Sequence, residues 1–387
     1  MSVYILGSAR TPIASFLSSY SNISAPELGG IAIKAAVKKS NISPEDVNEV
    51  IIGQVVQAGS GQAPARQATI FSGLPQSTPA TTINKVCGSG MKSLIMGAQS
   101  ILAGDNKIVV TGGMENMTMA PHLIPSGRSG IKFGDGKILD SMQFDGLTDA
   151  YSKQAMGVFA ELCVEKFKFT REELDNYAEM SFRRAQKAQV EGVFETEITP
   201  VEVVGLKGNV TKITLDEGPS KVNFEKMRGL KPVFNKNGVV TAANSSSIND
   251  GAACIVLGGE EFKSQSEFKI VAYASHAQEP QWFTTAPVES IKKCLKKANL
   301  NLNEIDLFEI NEAFAVVALA AVKELELDID RVNIYGGAIS LGHPIGVSGS
   351  RIIMSLMTGL KRENKRFGLA SICIGGGEAL SIIIERL

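Results

Sequence analysis

Apolar positions along this chain switch between a helical and a strand-like spacing, and glycine marks the switch points. After Cys87-Gly88-Ser89-Gly90, the residues Met91, Leu94, Ile95, Ala98, Ile101 and Leu102 recur at helical spacing. Gly104-Asp105-Asn106 breaks that run, and Ile108-Val109-Val110 follows as a short buried strand ending in Gly112-Gly113. The same grammar returns near the C-terminus. Gly342-His343-Pro344-Ile345-Gly346 and Ser348-Gly349-Ser350 open a helical stripe of Ile352, Ile353, Leu356, Met357 and Leu360. A polar break from Lys361 to Arg366 separates it from the strand Leu369 to Ile374, which runs into Gly375-Gly376-Gly377. Reactive residue, glycines, helix, buried strand, glycines: the order occurs twice. It suggests a duplicated α/β half, although any two βαβ units resemble each other at this level of detail.

Between the copies the texture changes. From about Met117 to Thr241 the chain mixes Gly/Pro/Ser turns, a charged helix near Arg171 to Val190 and a Lys-rich stretch from Lys207 to Lys236. Leu174, Tyr177, Ala178, Ser181, Ala185 and Ala188 give that helix a small-residue face. Strand-and-glycine grammar resumes from Val239 to Leu257, so the region reads as an insertion into the first half, the kind of place where substrate-gripping loops are built.

Length and charge narrow the classes. The chain has 387 residues, enough for about two or three domains with a large core. Thirty-nine basic against 40 acidic residues leave no global field for nucleic acid or an anionic membrane. The longest apolar run, Ala313 to Val322, is far short of a bilayer span. Five cysteines make no disulfide framework and suit a reducing compartment. The start runs into a strand-like stretch without a signal or transit pattern, and the Ile384-Glu385-Arg386-Leu387 end is not the peroxisomal tripeptide; the cytoplasm is expected.

Four positions invite chemistry. Cys87 stands where a loop meets a predicted helix start, which favours a thiolate nucleophile, with the flanking glycines letting a substrate carbonyl approach; the alternative is a small buried hydrophobe. His343, between glycine and proline on a tight loop, is either a base or oxyanion donor, or a turn residue bonded to a backbone carbonyl. With three histidines in the chain, an imidazole metal site is not expected. Cys373 precedes three glycines whose bare N–H groups suit an anion; otherwise it is core. Asn311 is a buried amide needing partners, a positioned water among them, or a helix N-cap. Cys163, Cys254 and Cys294 read as core filling. No stretch matches a dinucleotide fingerprint or P-loop.

Taken together, Asn84-Lys85-Val86-Cys87-Gly88-Ser89-Gly90, Asn311-Glu312-Ala313-Phe314, Gly342 to Gly346 and Cys373 to Gly377 resemble the active-site blocks of the thiolase family in order and spacing. The likeness extends from Ala9-Arg10-Thr11-Pro12 to the final strand, and Asp145 to Tyr151 with Ala155-Met156-Gly157 resembles a short-acyl pocket loop. The resemblance implies an α/β thiolase fold: two βαβαβαββ halves layered α-β-α-β-α, with an inserted loop domain. The expected division is 1–116 with 247–266, 117–246, and 267–387. It implies a cytosolic-type acetyl-CoA acetyltransferase, with a degradative 3-ketoacyl-CoA thiolase or a non-catalytic acyl-CoA-binding protein as alternatives. Cys87 would accept the acetyl group and His343 would help form its thiolate; Cys373 would abstract the proton of the second substrate. His343 and an Asn311-held water would form one oxyanion hole, and the N–H groups of Cys87 and Gly375 another. Leu147, Met156, Ala242, Ser246, Ala313 and Phe314 would contact coenzyme A, and lysines from Lys221 to Lys231 its phosphates. Acetyl-CoA, acetoacetyl-CoA and CoA are the implied partners, in a homotetramer built from tight dimers, with no tightly bound cofactor. Phe182 stands where potassium-binding members carry a tyrosine, and a phenyl ring cannot ligate a hard cation, so potassium activation is not expected. Ala155 replaces a histidine common in bacterial members, and Glu378 after the three glycines departs from the family pattern.

Overall fold

The computed structural model describes residues 2–205 and 208–387. Met1 and Lys207, the first residue of the expected Lys-rich stretch, lie outside the described residues. Strands β1 (Val3–Arg10) and β2 (Ala14–Ser15) precede helix α1 (Ala25–Ser40). That helix starts on a reciprocal cap: Ser24 accepts from the Glu27 N–H while Glu27 accepts from the Ser24 N–H. There follow β3 (Glu49–Gly53), α2 (Pro64–Phe71), β4 (Ala80–Ile83), α3 (Ser89–Ala103) and β5 (Ile108–Asn116). The intervening segment holds two small hairpins, β6 (His122–Leu123) with β7 (Leu139–Asp140) and β8 (Val201–Val204) with β9 (Val210–Ile213). It also holds α4 (Met156–Phe167), α5 (Arg171–Val190) and the short α6 (Phe224–Met227). After β10 (Asn249–Gly258) come β11 (Phe268–Ala277), α7 (Ala286–Ala298), β12 (Leu307–Ile310), α8 (Ala315–Leu325) and α9 (Ala338–Leu341). Helix α10 (Ser348–Arg362) and strands β13 (Phe367–Ile374) and β14 (Glu378–Arg386) close the chain.

Strand order settles the duplication. The main sheet runs β12-β13-β14-β11-β1-β10-β5-β3-β4, with β2 on β10. Its midpoint is the short antiparallel pairing of Val3 to Ile5 with Phe268 to Ile270. Outward from there, β1-β10-β5-β3 pair antiparallel, antiparallel, parallel, and β11-β14-β13-β12 repeat that series. The outermost β4 has a reduced counterpart in the parallel bridge between Phe308 and Val332. Helices α3 and α10 lie between the two halves of the sheet: Leu94, Ile95, Ile352, Ile353 and Leu356 share one core with residues of both. Helix α1 packs on the outer face of the first half and α7 and α8 on that of the second, giving the five expected layers.

Two local expectations change. Strand β5 does not stop at Gly112-Gly113 but continues to Asn116, fully buried. A Cβ on Gly113 would sit 2.0 Å from the Gly346 carbonyl oxygen, so this glycine admits the His343 loop against the strand rather than ending it. Gly88 and Gly90 serve packing in the same way. A Cβ on Gly88 would meet Ile374 at 2.4 Å, one on Gly90 would meet Ser350 at 2.7 Å, and one on Gly349 would meet Met91 at 2.4 Å. Their missing side chains bring the first turns of α3 and α10 together.

Candidate active site

The loop before α3 is locked by Ser89, whose Oγ accepts from the Lys85 N–H at 2.8 Å and donates to the Val86 carbonyl at 2.7 Å. Val86 consequently adopts a left-handed φ of 47°, unusual for a β-branched residue, and presents Cys87 at the loop tip. Desolvation pushes the Cys87 thiol up to about 11; the N–H groups of Gly375 and of Cys87 itself face the sulfur and pull the other way. Cys373 is the penultimate residue of β13, opposite Ala379 of β14, and is buried. Burial, and then the neighbouring Cys87, push its thiol well above the ordinary range.

His343 is held from three sides. Gly342 turns at φ 106°, the His343 N–H donates to Asn249 Oδ1 at 3.0 Å, and Nδ1 lies 2.6 Å from Ser348 Oγ on α10. Nε2 is buried and has no protein partner among the described residues. Burial, aided by the Arg351 charge, lowers the imidazole to about 3, so it is neutral at pH 7.

Cys87, His343, Cys373 and Gly375 line a single cavity of about 420 Å³. Leu147, Met156, Ser246, Ala313 and Phe314 line it too, and Phe283 and Phe234 meet the Phe314 ring edge-on at 6.3 and 6.0 Å. Ala242 does not: it lines an adjoining cavity of about 300 Å³ together with Phe182, Lys221 and Lys226, and the two spaces share Ser245 and Ser247. Ser246 already donates to the Ala313 carbonyl at 3.0 Å. Asn311 is fully buried and not among the residues lining the cavity; its Oδ1 is 3.5 Å from Arg351 Nη2 and its Nδ2 is unpartnered among the described residues. It is not a helix N-cap, because α8 begins at Ala315 behind Phe314. Cys163, Cys254 and Cys294 are core residues. No group of three His, Cys, Asp or Glu that could hold a metal occurs among the described residues. A larger groove of about 720 Å³, between Arg184, Asp306, Arg331 and Arg362, shares no lining residue with the thiol cavity.

Several supporting residues escaped the sequence reading. Glu115 near the end of β5 is fully buried and accepts from the N–H groups of Val55, Val56 and Gly346 at 3.0, 3.1 and 2.9 Å. The sequence hides it, because the strand is expected to end at Gly112-Gly113 and Glu115 falls beyond that expected end. Glu312 accepts from Tyr177 and Ser181 of α5, from Asn333 and from the Ile339 N–H, fixing the segment that carries Phe314. Arg351 and Ser348, both on the first turn of α10, looked from sequence like ordinary helix positions.

This arrangement is that of a duplicated α/β protein with a two-thiol site fed by both halves. The family model "Thiolase, N-terminal domain" matches residues 3–261 and "Thiolase, C-terminal domain" matches residues 264–386. The chain therefore belongs to the thiolase family. It is 46% identical to the cytosolic acetyl-CoA acetyltransferase ERG10 of Gibberella zeae, covering 100% of this chain and 98% of that protein. Among solved structures, the Acat5 thiolase of Ascaris suum in complex with coenzyme A superposes with a TM-score of 0.94 at 44% identity, covering both chains completely. The acetyl-CoA acetyltransferase of Bacillus anthracis gives 0.97 at 37% identity, covering 100% of this chain and 99% of that one.

Proposed function

We propose that this chain is an acetyl-CoA C-acetyltransferase, catalysing the reversible Claisen condensation of two acetyl-CoA molecules to acetoacetyl-CoA and CoA. The carrying observation is that two thiols from opposite halves line one cavity, with the Gly375 N–H directed at the Cys87 sulfur. Before the first turnover Cys87, a thiol raised to about 11, releases its proton to solvent, and the thiolate attacks the first thioester; the CoA thiolate leaves with the proton of Cys373. The Cys373 thiolate then takes the C–H proton of the second acetyl-CoA. The resulting enolate carbon attacks the acetyl-Cys87 carbonyl, forming the carbon–carbon bond and releasing the Cys87 thiolate. One proton thus cycles through Cys373, and charge balances at each step. The N–H groups of Cys87 and Gly375 serve the tetrahedral oxyanion, and His343, with a water on Asn311, the enolate oxygen.

Met156, Phe283 and Phe314 wall the cavity with bulk that suits a two-carbon acyl group, and Leu147, Ser246 and Ala313 line the way in. The adjoining space beside Ala242 suits the remainder of coenzyme A, with Lys226 and Lys221 toward its phosphates; Lys221 is already paired with Glu217 at 2.8 Å. Phe182 offers that space only a ring, which supports activity without potassium. We read residues 1–116 with 247–266 and residues 267–387 as the two halves and 117–246 as the inserted loop domain. No helix among the described residues is long and apolar enough to cross a membrane. The relative named cytosolic supports a cytoplasmic setting, and the family resemblance supports a homotetramer.

CoA-dependent cleavage measured over a chain-length series tests the reading. Acetoacetyl-CoA is expected to be cleaved fastest, with activity falling steeply for longer ketoacyl chains. Preference for long chains would transfer the protein to degradative metabolism, and absence of cleavage with intact acyl-CoA binding would make it a carrier.

A further inference from the structure

We propose that Ser348 is a positioning residue that fixes His343 in the tautomer protonated on Nε2, so that the ring faces the cavity as a hydrogen-bond donor throughout the cycle. This deepens, and rests on, the reading of His343 as the group serving the enolate oxygen.

The tautomer follows from a count of protons and lone pairs. The Ser348 hydroxyl has one proton and two acceptors within reach, His343 Nδ1 at 2.6 Å and the Pro344 carbonyl at 3.1 Å. The carbonyl oxygen has two lone pairs, and two backbone donors already approach it, the Val347 N–H at 2.9 Å and the Ser348 N–H at 3.1 Å. Nδ1 is nearer and has no other partner among the described residues. The hydroxyl proton therefore belongs on the Nδ1 lone pair, and a neutral imidazole that accepts at Nδ1 carries its own proton on Nε2. Nε2 is the nitrogen without a protein partner, on a residue lining the thiol cavity.

The setting makes the choice durable. Ser348 is fully buried in the first turn of α10, so water does not compete for its hydroxyl. The Arg351 guanidinium, one turn further on, disfavours a doubly protonated ring. A ring in this tautomer cannot take the Cys87 proton at Nε2, so the help with thiolate formation that the family resemblance implies belongs before the cycle begins and not within it. The mobile proton instead passes between Cys373, CoA and the substrate carbon, as in the balanced cycle above.

Long-range ¹⁵N–¹H spectra of histidine-labelled enzyme read the tautomer directly. The chain has three histidines, and His122→Gln and His276→Gln variants assign the third. The expected result is a pyrrole-type Nε2 and a pyridine-type Nδ1 for His343; the reverse pattern overturns the proposal. In Ser348→Ala the tautomer preference should collapse. Condensation should then fall roughly 10–100-fold, while single-turnover acetylation of Cys87 is much less affected. Ser348→Thr should restore both the spectrum and the rate, which mere loss of packing would not explain. A Ser348→Ala spectrum unchanged from wild type also overturns the proposal. Loss of the tautomer with condensation unimpaired would leave the assignment of Ser348 standing and overturn the reading of His343 as an oxyanion donor.

Discussion

The two halves use one scaffold for different work, and each completes the other's site. In the first half the loop before the central helix carries Cys87, and the strand after that helix ends just past Glu115. In the second half the loop before the helix carries His343, and the following strand ends just past Cys373. Equivalent strand ends thus carry a structural carboxylate in one half and a reactive thiol in the other. The exchange is reciprocal. Glu115 of the first half accepts from the Gly346 N–H on the His343 loop, and the Gly375 N–H of the second half faces the Cys87 sulfur. Duplication supplied two helix starts facing one space, and on the proposed mechanism divergence at the strand ends turns that symmetry into a division of labour.

The largest expected effect sets one thiol against the other. Cys87→Ala should abolish the acetyl-enzyme and reduce turnover on the order of 10⁴-fold or more, because the nucleophile has no substitute. Cys373→Ala should leave transfer of labelled acetyl to Cys87 largely intact and slow condensation by roughly 10²–10⁴-fold, the range of a lost general base. Acetyl-enzyme trapped by acid quench, compared with steady-state acetoacetyl-CoA formation, separates the two. Equal loss of labelling in both variants would end the division of labour between the halves.

Glu115 tests the structural side. Glu115→Ala leaves three buried N–H groups without their acceptor and should destabilise the fold by roughly 3 kcal/mol, read as a lower denaturation midpoint. The pH dependence has a definite sign. Burial raises this carboxyl from 4.5 to about 7, so between those values the native state holds a proton that the unfolded state has released. Its stability contribution is therefore fully present below about pH 4.5 and is lost as the pH rises through about 7. Glu309 is raised to about 8, also by burial, and adds a slope of the same sign over a slightly wider window. Glu115→Gln should flatten the stability profile between pH 4.5 and 7, and adding Glu309→Gln should flatten it further to pH 8. A Glu115→Gln profile with the wild-type slope would mean that the carboxylate stays ionised when folded, its three N–H donors outweighing desolvation.

The pattern of apolar and glycine positions made the duplicated half legible, because local periodicity survives divergence; the α3 and α10 helices, the strands after them and helix α5 all fall where the spacing predicts. Cys87 and His343, two of the residues proposed as reactive, were legible because loop glycines isolate them from a periodic explanation. Cys373 lies in a strand and stood out only by the three glycines after it. Much of their support was not legible. Ser348 and Arg351 sit at helical spacing, and what distinguishes them is the pair of groups they meet across the fold, His343 and Asn311. Gly88 and Gly90 looked like room for a substrate and Gly113 like a strand end, and all three proved to be room for the other half of the protein. Sequence reveals that a glycine needs space; only the fold reveals what takes it.

Glu378, which departs from the family pattern, gives the smallest effect. It opens β14, just beyond the glycines that follow Cys373, and its carboxylate pairs with Lys85 Nζ, two residues before Cys87. The bridge ties the two thiol-bearing loops together, but its side chains are 24% and 34% exposed, so screening by water and salt keeps it weak. A Lys85→Ala, Glu378→Ala double-mutant cycle should give a coupling below about 1 kcal/mol in stability, shrinking further at high salt. The same cycle on the condensation rate should show less than about fivefold coupling. If the rate coupling clearly exceeds the stability coupling, the pair is holding the thiols in register for carbon–carbon bond formation. The two halves would then be aligned by a contact peculiar to this chain as well as by the backbone exchange through Glu115 and Gly375.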